Sequence, residues 1–481
     1  MTSESTSTNN RFAFATVTSL FFMWGFISCM NDLLIPKFKA DFDLNQLQAN
    51  LVQLAFFGAY FIVSLVYFLI SAGKGDPINK IGYKNGLILG LSIAGIGCAL
   101  FYPAANAHSY PLFLGALFIL GGGITIIQIA ANPYVSILGP ESSAPSRLNL
   151  SQGLNSLGYV ITALIGGLFL FSKANGATDP GVDAVKVPYI GLAVILFGLA
   201  VAIKLIKLPT FKAEGTIERG INVFRHKHFV WGMIAIFFYV GCEVTVGSIL
   251  INYLGEKDVL GLTEEQATKY LAFYWGGAMI GRLMGAISLS AIADTRKLPM
   301  MLGAAAVSFI IIFVNASFSE KINVSGQHLA FQDIWPYLIM IALSFVFFIL
   351  GRSLPGRMVG LFATVASVLT VFAMFASGQF ALWGIIGIGL FNSIMWSNIF
   401  TLSIRGLGKD TAQGSSLLVM MIVGGALLPV VQGALADAIN IKASLIIVLL
   451  GYLYLAYFGF IGSRRKEPTA EELLQQKAAS Q

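Results

Sequence analysis

Near its start the chain reads Trp24-Gly25-Phe26-Ile27-Ser28-Cys29-Met30-Asn31-Asp32-Leu33-Leu34-Ile35-Pro36. This run ends an apolar segment that begins at Phe12 and is long enough to cross a bilayer as a helix. Asp32 lies inside this apolar segment, and a carboxylate in hydrocarbon costs about 2.5–3.5 kcal/mol even on the lenient insertion scale. A chain keeps such a group when its charge is used, most often to carry a cation or a proton. Glu243 raises the same question in the second half, so the two acids favour a coupled transporter.

The composition is that of an integral membrane protein. Of the 481 residues, 56% are hydrophobic and 11% are charged, whereas a soluble domain has about 25% charged residues. The mean hydropathy is +0.78. About fourteen apolar runs reach the length of roughly 18 residues that spans a bilayer, which predicts an all-α polytopic membrane protein. These runs are Phe12–Pro36, Leu47–Ala72, Leu87–Ala104, Pro111–Leu138, Leu148–Phe171, Pro188–Leu208, Phe229–Leu254, Gln266–Ile292, Pro299–Phe318, Trp335–Gly351, Met358–Ser377, Phe380–Ile404, Ala412–Asp437 and Ala443–Ile461.

Lysine and arginine are concentrated in alternate loops, for example Lys74–Lys84, Arg147 and Arg405–Lys409. The positive-inside rule places those loops in the cytoplasm. We therefore expect a multi-pass protein of the cell inner membrane with both termini cytoplasmic. The net charge of +7 reflects this bias and does not indicate nucleic-acid binding. The cysteines lie in apolar runs without the spacing of a metal site.

The two halves of the chain carry matching segments. Gln152 and Gln413, each followed by glycine, enter a helix after a short cytoplasmic loop, and the acid-bearing segment Phe21–Ile35 corresponds to Phe237–Ile251. Parallel repeats of six helices place the substrate site between the halves. The predicted divisions are a cytoplasmic lead (1–10), an N-terminal six-helix bundle (11–208), a cytoplasmic linker (209–228), a C-terminal bundle (229–464) with an inserted hairpin (297–351), and a cytoplasmic tail (465–481).

The hairpin accounts for two apolar runs in the second half beyond the expected six. We place it at 297–351, because Gly281-Arg282 and Gly351-Arg352 resemble the two ends of one interrupted cytoplasmic turn. The alternative is that one of these runs is a surface or re-entrant helix. Trp335–Gly351 is close to the minimum spanning length.

Several motifs carry a family resemblance. They are Asn31-Asp32-Leu33-Leu34-Ile35-Pro36, Ala130-Ala131-Asn132-Pro133-Tyr134, Leu138-Gly139-Pro140-Glu141-Ser142-Ser143, Arg147-Leu148-Asn149-Leu150-Ser151-Gln152 and Leu390-Phe391-Asn392-Ser393-Ile394-Met395. Together they resemble the fucose/glucose/galactose sugar:cation symporters of the major facilitator superfamily, over nearly the whole chain except the hairpin. The resemblance implies the major facilitator fold and uptake of a monosaccharide driven by a proton or sodium gradient.

The resemblance also implies roles for individual residues. Asp32 matches the cation-coupling aspartate of the family, and Gln128, Asn132, Gln152 and Asn155 match cavity-lining positions. Fucose-type members carry a glutamate at the position of Gln128, so this chain resembles the glucose/galactose type. Cys29 resembles that type too. Trp396-Ser397-Asn398 replaces the usual aromatic-Pro-Thr, so the helix-breaking proline is missing and the bend of this helix is left open.

Residue chemistry supports a sugar site. Sugars need amide and hydroxyl partners for their rims and aromatic faces for their apolar sides, and a few polar groups in an apolar cavity are typical of such sites. Any single amide could instead have a structural role and form a hydrogen bond between two helices. The candidate substrate-binding residues are Gln128, Asn132, Gln152, Asn155, Asn252, Asn392 and Trp396.

The candidate coupling residues are Asp32, its neighbour Asn31, and Glu243. Asp32 would carry a proton, or it would bind Na+ together with oxygen donors such as Asn31. Glu243 is either a second coupling group or a structural acid bonded to nearby backbone or hydroxyl groups. No cofactor is expected.

A candidate gate lies in the cytoplasmic turn after the second run. Asn79, Lys80 and Lys84 stand in a degraded form of the Gly-x-x-x-Asp-Arg-x-Gly-Arg-Lys motif of the superfamily. Glu141 and Arg147 in the next cytoplasmic turn are candidates for an ion pair with such cations, since exposed pairs are worth only about 0–1 kcal/mol and can open. The alternative is ordinary positive-inside signalling.

The predicted function is cation-coupled uptake of a monosaccharide, glucose or galactose first, by alternating access of two six-helix bundles. The alternatives are a proton-coupled exporter of small hydrophobic molecules on the same fold and a sugar receptor that does not transport. An enzyme is not expected, because no nucleophile–base pair, metal set or cofactor loop is evident. The expected partners are the sugar and the lipid bilayer, and the expected assembly is a monomer.

Overall fold

The structure is a computed structural model that describes residues 2–44, 46–171, 181–209, 220–322 and 331–464. The predicted tail (465–481) and residues 210–219 of the predicted linker lie outside these ranges. The described secondary structure is helical throughout. The α-helices are α1 (Thr2–Asp41), α2 (Gln46–Lys74), α3 (Pro77–Ile81), α4 (Tyr83–Ala99), α5 (Phe101–Asn106), α6 (Tyr110–Ile137), α7 (Ala144–Phe171), α8 (Lys186–Leu205), α9 (Lys227–Gly255), α10 (Glu264–Ser288), α11 (Asp294–Ile322), α12 (Phe331–Gly351), α13 (Pro355–Phe375), α14 (Gly378–Asn392), α15 (Met395–Ile404), α16 (Thr411–Met420), α17 (Gly424–Ala438), α18 (Ile441–Ser444) and α19 (Ile446–Tyr457).

Each predicted apolar run overlaps one or two of these helices. Among the described residues, 12 helical segments are long and apolar enough to cross a membrane. The other two runs lie in α7 and α10, which are 28 and 25 residues long and exceed the length of about 20 residues needed to span. Both helices carry polar side chains, such as Gln152 and Arg282, which lower their hydropathy. The predicted all-α polytopic membrane fold is confirmed.

The helices pack in two halves with the same internal pairing. In the first half, α1 packs against α7, and α4 packs against both α6 and α8. In the second half, α9 packs against α17, and α13 packs against both α14 and α19. Helices α11 and α12 fall outside this pairing, because α11 packs on α10 and α12 packs on α13 and α14. They occupy the position of the predicted hairpin.

The two ends of this inserted pair meet. Ser353, just after α12, donates its hydroxyl to the carbonyl of Ser288 at the end of α10, with an O–O distance of 2.7 Å. Tyr337 of α12 donates to the Phe273 carbonyl of α10 at 2.9 Å. The prediction that Arg282 lies at the edge of a cytoplasmic turn was wrong: α10 continues to Ser288, so Arg282 is an interior residue of that helix.

Helices α1 and α7 cross at two glycines. A Cβ on Gly25 would lie 1.9 Å from the Asn155 carbonyl oxygen, and a Cβ on Gly158 would lie 2.2 Å from the Phe22 carbonyl oxygen. Small residues let the backbones of membrane helices approach closely. Because Gly158 precedes Tyr159, the crossing brings the tyrosine against the Asp32 segment of α1.

The helix that lacks the family proline is broken nevertheless. Helix α14 ends at Asn392 and α15 begins at Met395. Arg282 of α10 reaches the break and donates from Nε to the Ser393 carbonyl oxygen at 3.3 Å. A Cβ on Gly281 would lie 1.9 Å from Ser393 Oγ, so glycine is required for this approach. A neighbouring arginine therefore satisfies a carbonyl that a continuous helix would bond internally.

Candidate functional site

A cavity of about 720 Å³ lies between the two halves. Its volume falls within the range of about 300–1,000 Å³ typical of small-ligand sites. It reaches the surface at Leu54 of α2 and Val430 of α17, which are both exposed. Its wall combines apolar and aromatic side chains with a few polar ones. The polar and aromatic lining residues used below are Trp24, Asn31, Asp32, Gln53, Tyr60, Gln152, Asn155, Ser156, Tyr159, Tyr239, Glu243, Ser248, Trp275, Arg282 and Trp396.

Asp32 is held in this wall by two neutral donors from different helices. Gln53 of α2 donates from Nε2 to Asp32 Oδ1 at 2.8 Å, and Tyr159 of α7 donates its hydroxyl to Asp32 Oδ2. Asn31 is buried and donates from Nδ2 to Gln53 Oε1 at 3.4 Å. Within the described residues, the carboxylate of Asp32 therefore has hydrogen-bond donors but no ion-pair partner.

Glu243 has a different environment from Asp32. Tyr239 donates its hydroxyl to Glu243 Oε1 at 2.7 Å, and Arg282 Nη2 lies 3.5 Å from the same oxygen. The side chains of Arg282 and Glu243 are 10% and 13% exposed, so the pair is largely removed from solvent. A buried acid with a cationic partner is compensated in charge, which distinguishes it from Asp32.

Three predicted sugar-binding residues line the cavity. Gln152 is buried and its Nε2 has no protein partner, whereas Asn155 donates from Nδ2 to the Phe21 carbonyl at 3.1 Å. Trp396 lies on the opposite wall, with its ring centroid 6.4 Å from that of Tyr239. These three residues provide amides from one half and an aromatic face from the other.

The other four predicted sugar-binding residues are not among the lining residues. Gln128 and Asn132 are buried in α6, where Gln128 lies beside the hydroxyl of the lining residue Tyr60. Asn392 bonds to protein instead, because Tyr452 donates to its Oδ1 at 2.8 Å and its Nδ2 donates to a tyrosine hydroxyl. Asn252 is exposed near the end of α9. The structure therefore gives no direct route from Asn252 to a ligand in this cavity.

The predicted gate residues lie together at one end of the molecule. This end carries Lys80, Lys84, Arg147 and Arg405 and is called the basic face below. Lys80 donates to the Lys74 carbonyl, and Lys84 donates to the Lys204 carbonyl at 2.8 Å, so both lysines contact only their own half. Arg147 likewise bonds within its half, for example from Nε to the Val135 carbonyl at 2.9 Å.

Other gate contacts at the basic face cross the seam, which is the interface between α1–α8 and α9–α19. Arg405 Nε lies 2.8 Å from Glu141 Oε1, so Glu141 pairs with the opposite half rather than with Lys80 or Lys84. Asn79 donates from Nδ2 to the Lys409 carbonyl at 2.9 Å. Deeper in the seam, an asparagine of α7 bonds an asparagine of α15, and a glutamine of α16 bonds a serine of α2. Hydrogen bonds across the seam therefore join the two halves at the basic face.

The sequence analysis missed Gln53, Tyr159, Ser156 and Arg282, which contact the two acids or bridge the halves. Gln53 and Arg282 are isolated polar residues within apolar runs, the same signal that identified Asp32. Tyr159 and Ser156 carry no such signal, because tyrosine and serine are ordinary in membrane helices.

Known proteins resemble the chain over almost its full length. The family model "Major Facilitator Superfamily" matches residues 12–320. The "Glucose/galactose transporter" of Brucella abortus biovar 1 (strain 9-941) is 41% identical over 467 residues, which cover 96% of this chain and 97% of the relative. The "L-fucose-proton symporter" of Escherichia coli (strain K12) is 30% identical over 482 residues, which cover 95% of this chain and 93% of the relative.

Solved structures resemble the whole chain too. The structure described as "Crystal structure of a Major Facilitator Superfamily (MFS) transporter, FucP, in the outward conformation" has a TM-score of 0.73 and 29% sequence identity. The match covers 95% of this chain and 100% of that chain. A likeness of this extent includes both halves of the chain.

Proposed function

Since this chain belongs to the major facilitator superfamily, in the group that includes the glucose/galactose transporters and the L-fucose–proton symporters, we propose that it takes up a neutral hexose together with a cation. Glucose or galactose is the proposed substrate. The relative at 41% identity is named "Glucose/galactose transporter", and a relative at 37% identity is named "Putative glucose/galactose transporter". Gln128 and Cys29 resemble that type. The relatives give no support to the alternative of an exporter of hydrophobic molecules.

One observation carries this proposal: Asp32 lies in the wall of the cavity, bonded to Gln53 of α2 and Tyr159 of α7. A carboxylate so placed joins two helices while it is ionised, because it accepts from both. When the charge is neutralised, these acceptor contacts weaken, since hydrogen bonds to charged groups are the stronger ones. Cation binding at Asp32 would therefore change the packing of α1, α2 and α7 beside the sugar.

A proton is the proposed coupling ion. Both oxygens of Asp32 accept from N–H or O–H donors, an environment that a proton can enter without further ligands. The relative from Escherichia coli is named a proton symporter. Sodium is the second possibility, because the Oδ1 of Asn31 is a buried oxygen that accepts no hydrogen bond from any described residue and could join Asp32 as a ligand.

The hexose is proposed to lie between Gln152 and Asn155 of the first half and Trp396 of the second. The amides supply hydrogen bonds to hydroxyl groups, and the indole ring supplies an apolar face. Gln128, which lies beside the lining residue Tyr60, and Asn132, about one turn further along α6, would act from behind the wall. Contacts to the sugar from both halves would make its binding sensitive to the movement of one half against the other.

The basic face is proposed to be cytoplasmic, with both termini on that side of the inner membrane. The structure then represents the form that is closed toward the cytoplasm and open toward the outside. Glu141 and Asn79 act as gate residues, because their bonds to Arg405 and Lys409 cross the seam at the closed end. Lys80, Lys84 and Arg147 would support the gate from within the first half.

The test is uptake of radiolabelled glucose into proteoliposomes under a proton gradient and, separately, under a sodium gradient. One charge moving through 100 mV supplies about 2.3 kcal/mol, enough for roughly fifty-fold accumulation. We expect Asp32→Asn to abolish accumulation while glucose exchange at equal concentrations persists. The matched control is Asp183→Asn, which neutralises an exposed acid that pairs with Lys186 outside the cavity. Normal accumulation by Asp32→Asn would contradict the proposal, and the gradient that drives the wild type would identify the ion.

A further inference from the structure

Arg282 lies in the cavity wall where three helices meet. Its Nη2 faces Glu243 Oε1 of α9 at 3.5 Å, and its Nε donates to the Ser393 carbonyl at the break between α14 and α15 at 3.3 Å. Its Nη1 donates to Ser156 Oγ of α7 at 2.6 Å. A guanidinium has five N–H donors in a rigid fork. At this position the guanidinium contacts two helical elements of its own half, which are α9 and the break between α14 and α15. It also contacts one element of the other half, which is α7.

The three contacts of Arg282 respond differently when one half moves against the other. Glu243 and Ser393 belong to the same half as Arg282, whereas Ser156 belongs to the first half. Rigid-body rocking of the halves therefore leaves two contacts intact and breaks the third. The donor on Nη1 is the one that changes its partner between the two arrangements of the halves.

Glu243 is better explained by this arrangement than by ion carriage. Its Oε1 accepts from the Tyr239 hydroxyl at 2.7 Å and faces the guanidinium. The carboxylate is therefore engaged from two sides by residues of its own half. Such a group fixes the direction of a guanidinium, so that the free edge of Arg282 is directed toward the seam and the cavity.

We propose that Arg282 is a sugar-binding residue of the second half, and that a hydroxyl of the bound hexose competes with Ser156 for its Nη1 donor. Glu243 is then the residue that positions Arg282. Binding of the sugar removes one of the bonds that hold the halves in the present arrangement, so occupancy of the cavity favours their movement. This inference rests on the proposed function, because it assumes a ligand that carries hydroxyl groups.

The experiment measures equilibrium binding of glucose and of its singly deoxygenated analogues to the purified full-length protein. In the wild type, we expect one deoxy analogue to bind about tenfold more weakly than glucose, because it lacks the hydroxyl that Arg282 contacts. In Arg282→Lys, we expect glucose itself to bind at least tenfold more weakly than in the wild type. That deoxy analogue and glucose should then bind within twofold of each other. A merely structural role for Arg282 would weaken all analogues in the same proportion.

Two serine variants test the competition. Ser156→Ala should bind glucose as tightly as the wild type or up to about threefold more tightly, because the competing acceptor is gone. Ser92→Ala is the matched control, since Ser92 bonds to the Ile88 carbonyl of its own helix and is not one of the lining residues of the cavity. Its glucose affinity should stay within twofold of the wild type.

Three results would overturn the inference: glucose affinity within twofold of wild type in Arg282→Lys, an unchanged pattern of deoxy analogues in that variant, or glucose binding weakened more than threefold in Ser156→Ala. If Arg282→Lys does not purify as a folded protein, Glu243→Gln replaces it, with the same change of analogue pattern expected at a smaller amplitude. A wild type that binds no hexose at all would instead contradict the proposed function.

Discussion

Tyr159 and Trp275 stack on each other across the seam, with ring centroids 5.9 Å apart and ring planes at 26°. Tyr159 also donates its hydroxyl to Asp32. One side chain of α7 thus touches the proposed coupling acid and a helix of the opposite half. An aromatic pair is worth about 0.5–1.5 kcal/mol beyond the area it buries, which suits a contact that must break in each transport cycle.

Tyr159→Phe should uncouple transport while preserving the stack. The variant keeps the ring against Trp275 but loses the hydrogen bond to Asp32, which as a bond to a charged group is worth about 1.5–3 kcal/mol. We expect gradient-driven glucose accumulation to fall about tenfold or more, with exchange at equal concentrations reduced less than threefold. The measurement is paired accumulation and exchange in the same proteoliposomes. Accumulation equal to wild type would show that the hydroxyl of Tyr159 plays no part in coupling.

Reversal of the charge at Arg405 should weaken the closed basic face. Arg405→Glu places two like charges across the seam, and for such exposed groups the effect is at most about 1 kcal/mol, or roughly fivefold in a population. We expect the initial uptake rate to change by up to that factor and the double variant Glu141→Arg/Arg405→Glu to restore it. Asp294→Lys serves as the control, because Asp294 is 94% exposed and pairs with Lys297 of its own helix. Failure of the double variant to recover any activity would argue against a gate formed by this pair.

Asp258 gives the chain a small pH-dependent contribution to stability. The ammonium of Lys442, 2.5 Å from Asp258 Oδ2, donates a hydrogen bond that holds the pKa of this carboxyl below its usual value. A depressed folded-state pKa stabilises the fold above the pKa of the unfolded chain, about 3.9, and this stabilisation is lost as the pH falls through the folded-state value. Asp258→Asn should thus lower the Tm slightly at pH 7, by the equivalent of at most about 1 kcal/mol.

The difference in Tm between Asp258→Asn and the wild type should shrink between pH 7 and about pH 3, because the pH then falls below the unfolded-state pKa of about 3.9. It should disappear once the pH lies below the folded-state pKa of Asp258. Asp294→Asn, at a residue whose side chain is 94% exposed, should leave the Tm unchanged at both pH values. A Tm difference for Asp258→Asn that grows on acidification would contradict the assigned direction.

Gly158→Ala should destabilise the first half. The added methyl group would lie 2.2 Å from the Phe22 carbonyl oxygen, so the helices must separate, and overpacking of this kind costs about 1–3 kcal/mol. Gly198→Ala is the control, because nothing lies within 4 Å of a Cβ at that position of α8 and alanine is the better helix former. Thermal unfolding monitored by fluorescence should show a lower Tm for the first variant only. Equal Tm values for the two variants would show that the α1–α7 crossing tolerates a wider spacing.

The apolar runs and the isolated acid Asp32 were enough to predict the fold and the main feature of the site. The predicted sites failed where the rotation of a helix matters. Asn252 and Asn392 were grouped with Gln152 as polar residues in apolar runs, yet one is exposed and one is bonded to tyrosines. A membrane helix is apolar toward lipid and toward its neighbours alike, so its hydropathy pattern does not show which face meets a cavity.

Arg282 illustrates a second limit of predicting a site from the sequence. It was placed at one end of an interrupted cytoplasmic turn, because Gly281-Arg282 resembles Gly351-Arg352 in sequence. The structure shows instead that α10 continues past it and that its partners Glu243, Ser393 and Ser156 are 39 to 126 residues away in sequence. Such partners become visible only when the packing of the helices is known.

The inserted pair α11–α12 leaves and returns at one place, where Ser353 bonds the end of α10 through the Ser288 carbonyl. A pair of crossings is an even number, so every loop after it keeps its side of the membrane. The segments that carry Trp396 and Arg405 therefore keep the orientation that they would have if the chain passed directly from α10 to α13.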